Sequence, residues 1–371
     1  MRQASRLPPL ATPSDLACLR LALIPGLGPI TYLNLVRRFG TPEGVLAAAP
    51  GEVAQFAGVA VAEALALGPD PRLVERSLGW MELPGHHLLT AEHTAYPEML
   101  RQIPDPPIAL YAIGRIELLQ RPCLAIVGSR NCTPQGARDA RTFARELSKA
   151  GLCIASGLAL GIDAAAHRGG LEQGASSIAV MGTGADIFYP RSNQDLARQL
   201  AEQGCIITEF PLGTRPLRGN FPRRNRLISG LARGVLVVEA SEDSGSLLTA
   251  KLALHQNREV FAMPGPVHST LTKGCHKLIR DGAALVEFAH DVLVELRLAS
   301  PTRVSPPASA PPPATDPVLH AIGFECVSPD QIAQRTGLGV AAIATRLSRL
   351  EIDGEIETVA GGRFQRVEKA R

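Results

Sequence analysis

Residues 210–234 read FPLGTRPLRGNFPRRNRLISGLARG, with six arginines (Arg215, Arg218, Arg223, Arg224, Arg226 and Arg233) and no carboxylate. A guanidinium is planar, permanently charged and forked, so arginines gathered without acids suit a run of phosphates. Gly213, Pro216, Gly219 and Pro222 break the first half into a loop, and helical character is expected only after Pro222. A basic loop feeding a helix start adds backbone N–H groups to the guanidinium forks. A solvated cationic face is the plainer use of such a run. Catalytic candidates are thinner. Asp163 and His167 stand four apart on one helix face, a spacing that can chelate a metal, but no third ligand accompanies them. Asp163 is expected to cap or hydrogen-bond a neighbouring loop, and His167 to pack. Glu209 and Glu239 end apolar runs where a general base can sit; beside so many arginines, ion pairs that orient the basic loop are expected instead. No Ser/His/Asp or Cys/His set assembles, so no catalytic residue, metal or cofactor is expected.

These residues need a frame. Short apolar runs at Leu124–Val127, Cys153–Ala155, Ile178–Met181, Ile206–Thr208, Val235–Glu239 and Val260–Met263 alternate with helix-like segments. Such runs predict an α/β, doubly wound parallel sheet covered on both faces, with ligands beyond the strands' carboxyl ends. The first run is followed by Gly128, Ser129 and Arg130, the second by Ser156, Gly157, Leu158 and Gly161. The third leads into Gly182 and Gly184, and the fifth into Gly245 and Ser246. Glycine lets a backbone approach an anion closely, although tight strand–helix turns also need it for structure alone. Several such loops on one edge, beside the arginine run, predict a phosphate-rich ligand. GSRNCTPQG lacks the G-x-G-x-x-G order and no Walker A lysine occurs, so a dinucleotide or P-loop site is not expected.

With 371 residues and 45% apolar content the chain can fill two or three domains, while a net charge of only +3 leaves nucleic-acid binding to local clusters. Aromatic residues make up 4%, so base stacking must rest on a few of them. Seven dispersed cysteines without a C-x-x-C pair predict reduced thiols, and the absence of a secretory h-region or membrane-length stretch predicts a cytoplasmic protein. The expected divisions are a helical domain at 1–75, the sheet domain at 76–299, a Pro/Ala/Ser linker at 300–315 and a small domain at 316–371. Ile24-Pro25-Gly26-Leu27-Gly28-Pro29 between apolar helices reads as a helix-hairpin-helix turn, either gripping a phosphate or only packing, with Arg37 and Arg38 as the nearest charges. Residues 328–367 carry a winged helix-turn-helix pattern. Its Arg346, Arg349, Arg363 and Arg366 suit duplex DNA, whereas Glu351, Asp353, Glu355 and Glu357 suit a protein partner.

The segments GSR at 128–130, SGLALGIDAAAH at 156–167, GTGADIFYPRSN at 182–193, TEFPLGTRP at 208–216, FPRRNRLISGL at 221–231 and VVEA…SGSLLTA at 237–250 resemble the DNA-processing protein A (DprA/Smf) family. The resemblance covers about residues 10–300. It implies a Rossmann-like domain that binds single-stranded DNA, a homodimer, and loading of the recombinase RecA during natural transformation. By matching position it implies DNA contacts at Arg130, Ser156, Gly157, Leu158, Arg218, Asn220, Phe221, Arg223, Arg224 and Asn225. Gly128, Ser129, Gly161, Gly182, Gly184 and Arg226 join them from the loop and cluster readings. Arg218 stands where some members have lysine, and Leu160 where some have a basic residue. Phe221, the aromatic set between Arg218 and Arg223, stacks on a base or anchors its helix. A nucleoside monophosphate phosphoribohydrolase on a similar fold is the alternative, although MPGPV at 263–267 and SGSLLTA lie apart and no glutamate follows Thr249 as that motif requires.

Overall fold

The structure is a computed structural model that describes residues 12–174, 176–299, 316–323, 325–359 and 361–367. Proline starts many of its helices, because a fixed φ and a missing N–H cost nothing at the first helical position. Six helices come first: α1 (Pro13–Ala22), α2 (Pro29–Phe39), α3 (Pro42–Ala47), α4 (Pro50–Ala57), α5 (Val59–Leu67) and α6 (Pro71–Met81). Thr12 and Asp15 close a reciprocal capping box on α1, and Asp70 caps α6. The HhH-like turn is present, with Gly26 at φ +80° and Gly28 as the N-cap of α2. Arg37 and Arg38, however, lie in the last turn of α2, about 15 Å from that turn at the usual helical rise. They cannot assist a phosphate there, and Arg38 instead lies over the Phe56 ring at 5.4 Å.

The sheet domain runs β1 (His86–Thr90), α7 (Glu98–Arg101), β2 (Ala109–Gly114), β3 (Cys123–Val127), α8 (Pro134–Lys149), β4 (Cys153–Ser156), α9 (Ile162–Leu171), β5 (Ser177–Val180) and α10 (Gln194–Gln203). It continues with β6 (Cys205–Thr208), α11 (Asn220–Leu231), β7 (Gly234–Val237), α12 (Gly245–His255), β8 (Glu259–Ala262), α13 (Lys273–Arg280), β9 (Ala284–Leu285) and α14 (Ala289–Glu295). All six expected apolar runs form strands, β3 to β8, and every pairing from β6 through β5, β4, β3, β7 and β8 to β9 is parallel. Alternate residues of β3 serve opposite faces, as a strand's period of two requires. Cys123, Ala125 and Val127 pack under α11 and α12, while Leu124 and Ile126 pack under α8 and α9. The order reverses between β3 and β7, which makes their carboxyl ends the switch point of the sheet.

Three strands were not anticipated. β1 and β2 add antiparallel to the β6 edge, so the nine-stranded sheet is mixed, and two-residue β9 closes the other edge. The proline- and histidine-rich stretch before residue 120 hid β1 and β2, because no long periodic run frames them. Helix α11 also begins at Asn220, before Pro222, since proline is tolerated in a first turn.

The helical N-terminal region is seated on this added edge. Trp80 of α6 stacks on His86 with centroids 4.4 Å apart and meets Tyr111 edge-on at 5.4 Å. Ser77 shares a 2.9 Å hydrogen bond with the Tyr111 hydroxyl, and Thr90 donates to Asp15 of α1 at 2.8 Å. The expected division at residue 75 thus falls inside α6. A final unit holds α15 (Pro317–Ile322), α16 (Pro329–Thr336), α17 (Val340–Ile352), β10 (Ile356–Val359) and β11 (Arg363–Arg366) around its own apolar core. Glu357 of β10 accepts from Arg138 of α8 at 2.7 Å and ties this unit to the sheet domain. The expected linker at 300–315 lies outside the described residues. All seven cysteines are free thiols.

Trp80→Ala should cost about 3–5 kcal/mol, because it empties the contact between α6 and the sheet edge. Urea unfolding followed by circular dichroism checks this; a loss under 1 kcal/mol would mean that α6 is not docked there.

Candidate nucleic-acid interface

Three loops meet at the carboxyl edge: 128–133 after β3, 156–161 after β4 and 181–190 after β5. The basic segment 210–219 and the start of α11 lie against them. What they share is Arg224. It is only 4% exposed, and Nη1 donates to Gly157 O at 2.7 Å and to Val180 O, joining the ends of β4 and β5. Gly157 is glycine for this reason: a Cβ there would stand 2.6 Å from Arg224 Nη2 and 2.8 Å from Asp163 Oδ2. Burial draws Arg224 down to about 10, against the pull of Asp163, so the group stays cationic at neutral pH. Asp163 is fully enclosed, and burial lifts it above the ordinary carboxylate range although Arg224 and two backbone amides favour its charge.

Asp163 also settles the question of bare amides. Its Oδ2 accepts from the N–H groups of Gly157 at 3.0 Å and Ala159 at 3.4 Å, while Leu158 N–H donates to His167 Nε2 at 3.2 Å. The expected hydrogen-bonding part for Asp163 is what the structure shows. The amides of residues 157, 158 and 159 are thus engaged by a carboxylate and an imidazole. With Nε2 accepting, Nδ1–H faces Ser177 Oγ at 2.7 Å, and the Ser177 hydroxyl donates to Ile154 O. Burial, then Arg224, pushes His167 down to about 3, so it is neutral at physiological pH. Leu158 itself sits at φ +58° with its side chain 1% exposed, and the Ser156 hydroxyl donates inward to Ile126 O at 2.7 Å. Side-chain contacts to DNA from Ser156 and Leu158 are therefore ruled out by burial.

The arginine run divides in the same way. Arg226, 6% exposed, is paired with Glu209 and with Asp105, Nε to Oδ2 at 3.2 Å. Glu209 also accepts from Arg223 Nε at 3.1 Å, so the expected bracing by this carboxylate is observed. Arg223 remains half exposed and lies over the Phe210 ring at 5.4 Å. Arg233 lies at the opposite edge, where its N–H meets Cys123 O at the start of β3. Arg224 and Arg226, both expected among the DNA contacts, thus serve internal acceptors. Glu239, expected in an ion pair as well, forms none among the described residues. It accepts from Thr133 N–H at 2.8 Å and Thr133 Oγ1 at 2.7 Å, where α8 starts.

Arg130, Arg215 and Arg218 are exposed and form no ion pair among the described residues. Phe221 is half-buried, with its ring against Gly182, where a Cβ would come within 2.9 Å of the ring. Arg130 lies over this ring at 5.8 Å, and Tyr189 flanks it with centroids 5.7 Å apart. Arg130, Phe221 and Tyr189 so form one row of π surfaces on the rim, and the anchoring and stacking readings of Phe221 are compatible. Tyr189, 44% exposed, was not among the expected contacts; its place directly after the Gly182–Gly184 loop was the available signal. Asn220 donates to Gly182 O at 3.1 Å, and Asn225 Oδ1 accepts from Arg224 Nε at 3.3 Å. Gly128, Ser129, Gly161 and Gly184 line the loops without adding charge. Leu160, 42% exposed, gives the rim an apolar spot.

A separate cavity of about 640 Å³ opens past β7 and β8, lined by Glu239, Met263, His268 and Thr272 and faced by Arg363 and Gln365 of the winged unit. Among the described residues no three His, Cys, Asp or Glu side chains gather as a metal would require, and no helix is long and apolar enough to cross a membrane.

Three family profiles match the chain. The profile for DNA recombination-mediator protein A matches residues 87–297, that for the DprA winged helix domain residues 301–362, and that for the DprA-like N-terminal HHH domain residues 13–67. Protein Smf of Escherichia coli is 43% identical over 298 residues, covering 78% of this chain and 80% of that protein. Protein Smf of Synechocystis is 34% identical over 92% of this chain and 96% of its own. The X-ray structure of DNA processing protein A from Streptococcus pneumoniae superposes with a TM-score of 0.67 at 35% identity, covering 77% of this chain and 98% of that one. That of Helicobacter pylori DNA processing protein A, described for its single-stranded DNA binding mode, gives 0.52 at 30% identity over 57% and 95%.

Replacing Arg224 by Met should cost roughly 3–5 kcal/mol, since it orphans two carbonyls and a buried carboxylate. Arg218→Met should leave stability within about 0.5 kcal/mol; urea midpoints separate the two. An unfolded imidazole titrates near 6.5, whereas folded His167 does so near 3, so the unfolded chain binds the extra proton between them. Stability should therefore fall as pH drops from 6.5 towards 3 and be insensitive to this group above 6.5. In His167→Gln that part of the slope should vanish; parallel pH profiles in the two proteins would contradict a buried neutral imidazole.

Proposed function

The chain belongs to the DNA recombination-mediator protein A family, and on that premise we propose that it binds single-stranded DNA along the carboxyl rim of its sheet without chemically altering it. One observation carries the reading: Arg130, Phe221 and Tyr189 form a continuous row, and the segment leading into Phe221 carries Arg215 and Arg218, both exposed and without an ion pair among the described residues. Phosphates meet free guanidinium groups while unpaired bases stack on exposed ring faces. A duplex, whose bases are already stacked, gains little from such a row. None of these groups reads a base edge, so binding is nearly independent of sequence.

The acids and the histidine near the rim are engaged in support. Asp163 and His167 hold the 156–161 loop, Glu209 pairs with Arg223 and Arg226, and Glu239 holds the start of α8. This supports a binder rather than an enzyme. Family membership supports action in the cytoplasm on incoming DNA during transformation, as a homodimer that hands the strand to RecA. For the winged helix we favour a protein partner over a duplex, because Arg346 is matched by Asp316 at 3.7 Å and Arg349 by Asp353 at 3.9 Å.

Fluorescence anisotropy of the full chain with labelled oligothymidine tests this at several salt concentrations. Arg130→Ala and Arg218→Ala should each weaken binding and lower the slope of log K against log salt by about one. Phe221→Ala and Tyr189→Ala should weaken it by about 1–3 kcal/mol with the slope unchanged. Release of free base from nucleoside monophosphates, abolished by Glu239→Gln, would instead favour the phosphoribohydrolase alternative and the 640 Å³ cavity.

A further inference from the structure

Segment 214–220 carries Arg215 and Arg218 but has almost no packing of its own, because residues 215 to 219 are all exposed. Its pose must be set at its ends. At one end Asn220 donates to Gly182 O at 3.1 Å. At the other, Gly213 N–H donates to Asp186 Oδ1 at 2.8 Å, and Gly184 N–H to Thr214 O at 3.0 Å. Oδ2 of the same Asp186 takes Arg76 Nη2 from α6. Gly213 stands at φ +83°, and a Cβ on it would come within 2.9 Å of Arg76 Nη1, so the guanidinium sits close against the turn. Beneath, Leu212 and Ala185 share a buried cluster with Trp80, Leu73 and Val74 of α6.

We infer that Arg76 and Asp186 are positioning residues through which the N-terminal helical region sets the pose of the DNA-binding loop. The inference rests on the single-stranded DNA reading above. An ion pair as exposed as this one contributes little to global stability. Its effect is local: Asp186 joins α6, the loop after β5 and the basic segment at one carboxylate. An ordered loop does not bear the cost of ordering when the strand arrives.

This makes a prediction opposite to simple electrostatics. Deleting a carboxylate beside a cationic loop should tighten binding to a polyanion, and deleting Arg76 should loosen it. With a clamp, both deletions loosen it. Asp186→Ala, Arg76→Met and the double variant of the full chain would be titrated with labelled oligothymidine over a salt series, with melting temperatures recorded alongside. Each single variant should bind about three- to tenfold more weakly, with the double no weaker than the weaker single and the salt slope unchanged. Trypsin should cut the Arg218–Gly219 bond faster in all three, at melting temperatures close to wild type. Tighter or unchanged binding by Asp186→Ala, strictly additive losses, or an unchanged cleavage rate would overturn the clamp. A lower salt slope in Arg76→Met alone would make Arg76 a phosphate contact and likewise overturn it. If the unmodified protein fails to bind oligothymidine, the DNA reading falls, and the rate of cleavage after Arg218 still decides the clamp.

Discussion

A buried guanidinium organises this rim. Removing a charge from water is costly, and the structure offsets that cost at Arg224 with two strand-end carbonyls and the nearby Asp163 carboxylate. That demand propagates. The carbonyls at Gly157 and Val180 must face inward, and a side chain at 157 would collide with the guanidinium. Asp163 must turn towards the loop, where it gathers amides that would otherwise be free. His167 must stay neutral and accept from Leu158. One cation in a dry site thus shapes the ends of two strands and the loop between them.

The consequence for ligand binding is a division of labour within one short segment. Arg224 and Arg226 lie two residues apart on α11, and both turn inward to different acceptors. Arg223, between Pro222 and Arg224, keeps half its surface and shares Glu209. Cations with no acid partner among the described residues come instead from Arg130 on another loop and from Arg215 and Arg218 ahead of the helix. The interface is therefore composite. Its charges and its rings come from separate segments, and their spacing depends on the packing beneath them.

The flanking regions take part in that packing. α6 belongs to the N-terminal helices by sequence, yet Trp80 and Ser77 fasten it to β1 and β2, and Arg76 reaches the loop after β5. The winged unit has its own core and meets α8 through Glu357 and Arg138. Helical region, sheet and basic loop consequently share one set of contacts around Asp186, which local sequence patterns could not reveal.

The parallel sheet was legible because β3 to β8 are short, branched and apolar on both faces, and the periodicity of a doubly buried strand needs no partner to be recognised. The glycines after those strands, the arginine run and Phe221 were legible as residue types. What remained hidden depends on contacts between distant positions. β1 and β2 become strands by completing an edge, with His86 and Tyr111 held by a tryptophan from another region. Arg218 and Arg224 are the same side chain to a sequence reader, six residues apart. Whether each faces water or a carbonyl depends on where β4 and β5 end in space. Sequence determined how much charge and which rings the rim could draw on. Only the tertiary structure decided which of them a ligand can reach, because burial is a property of the surroundings and not of the residue.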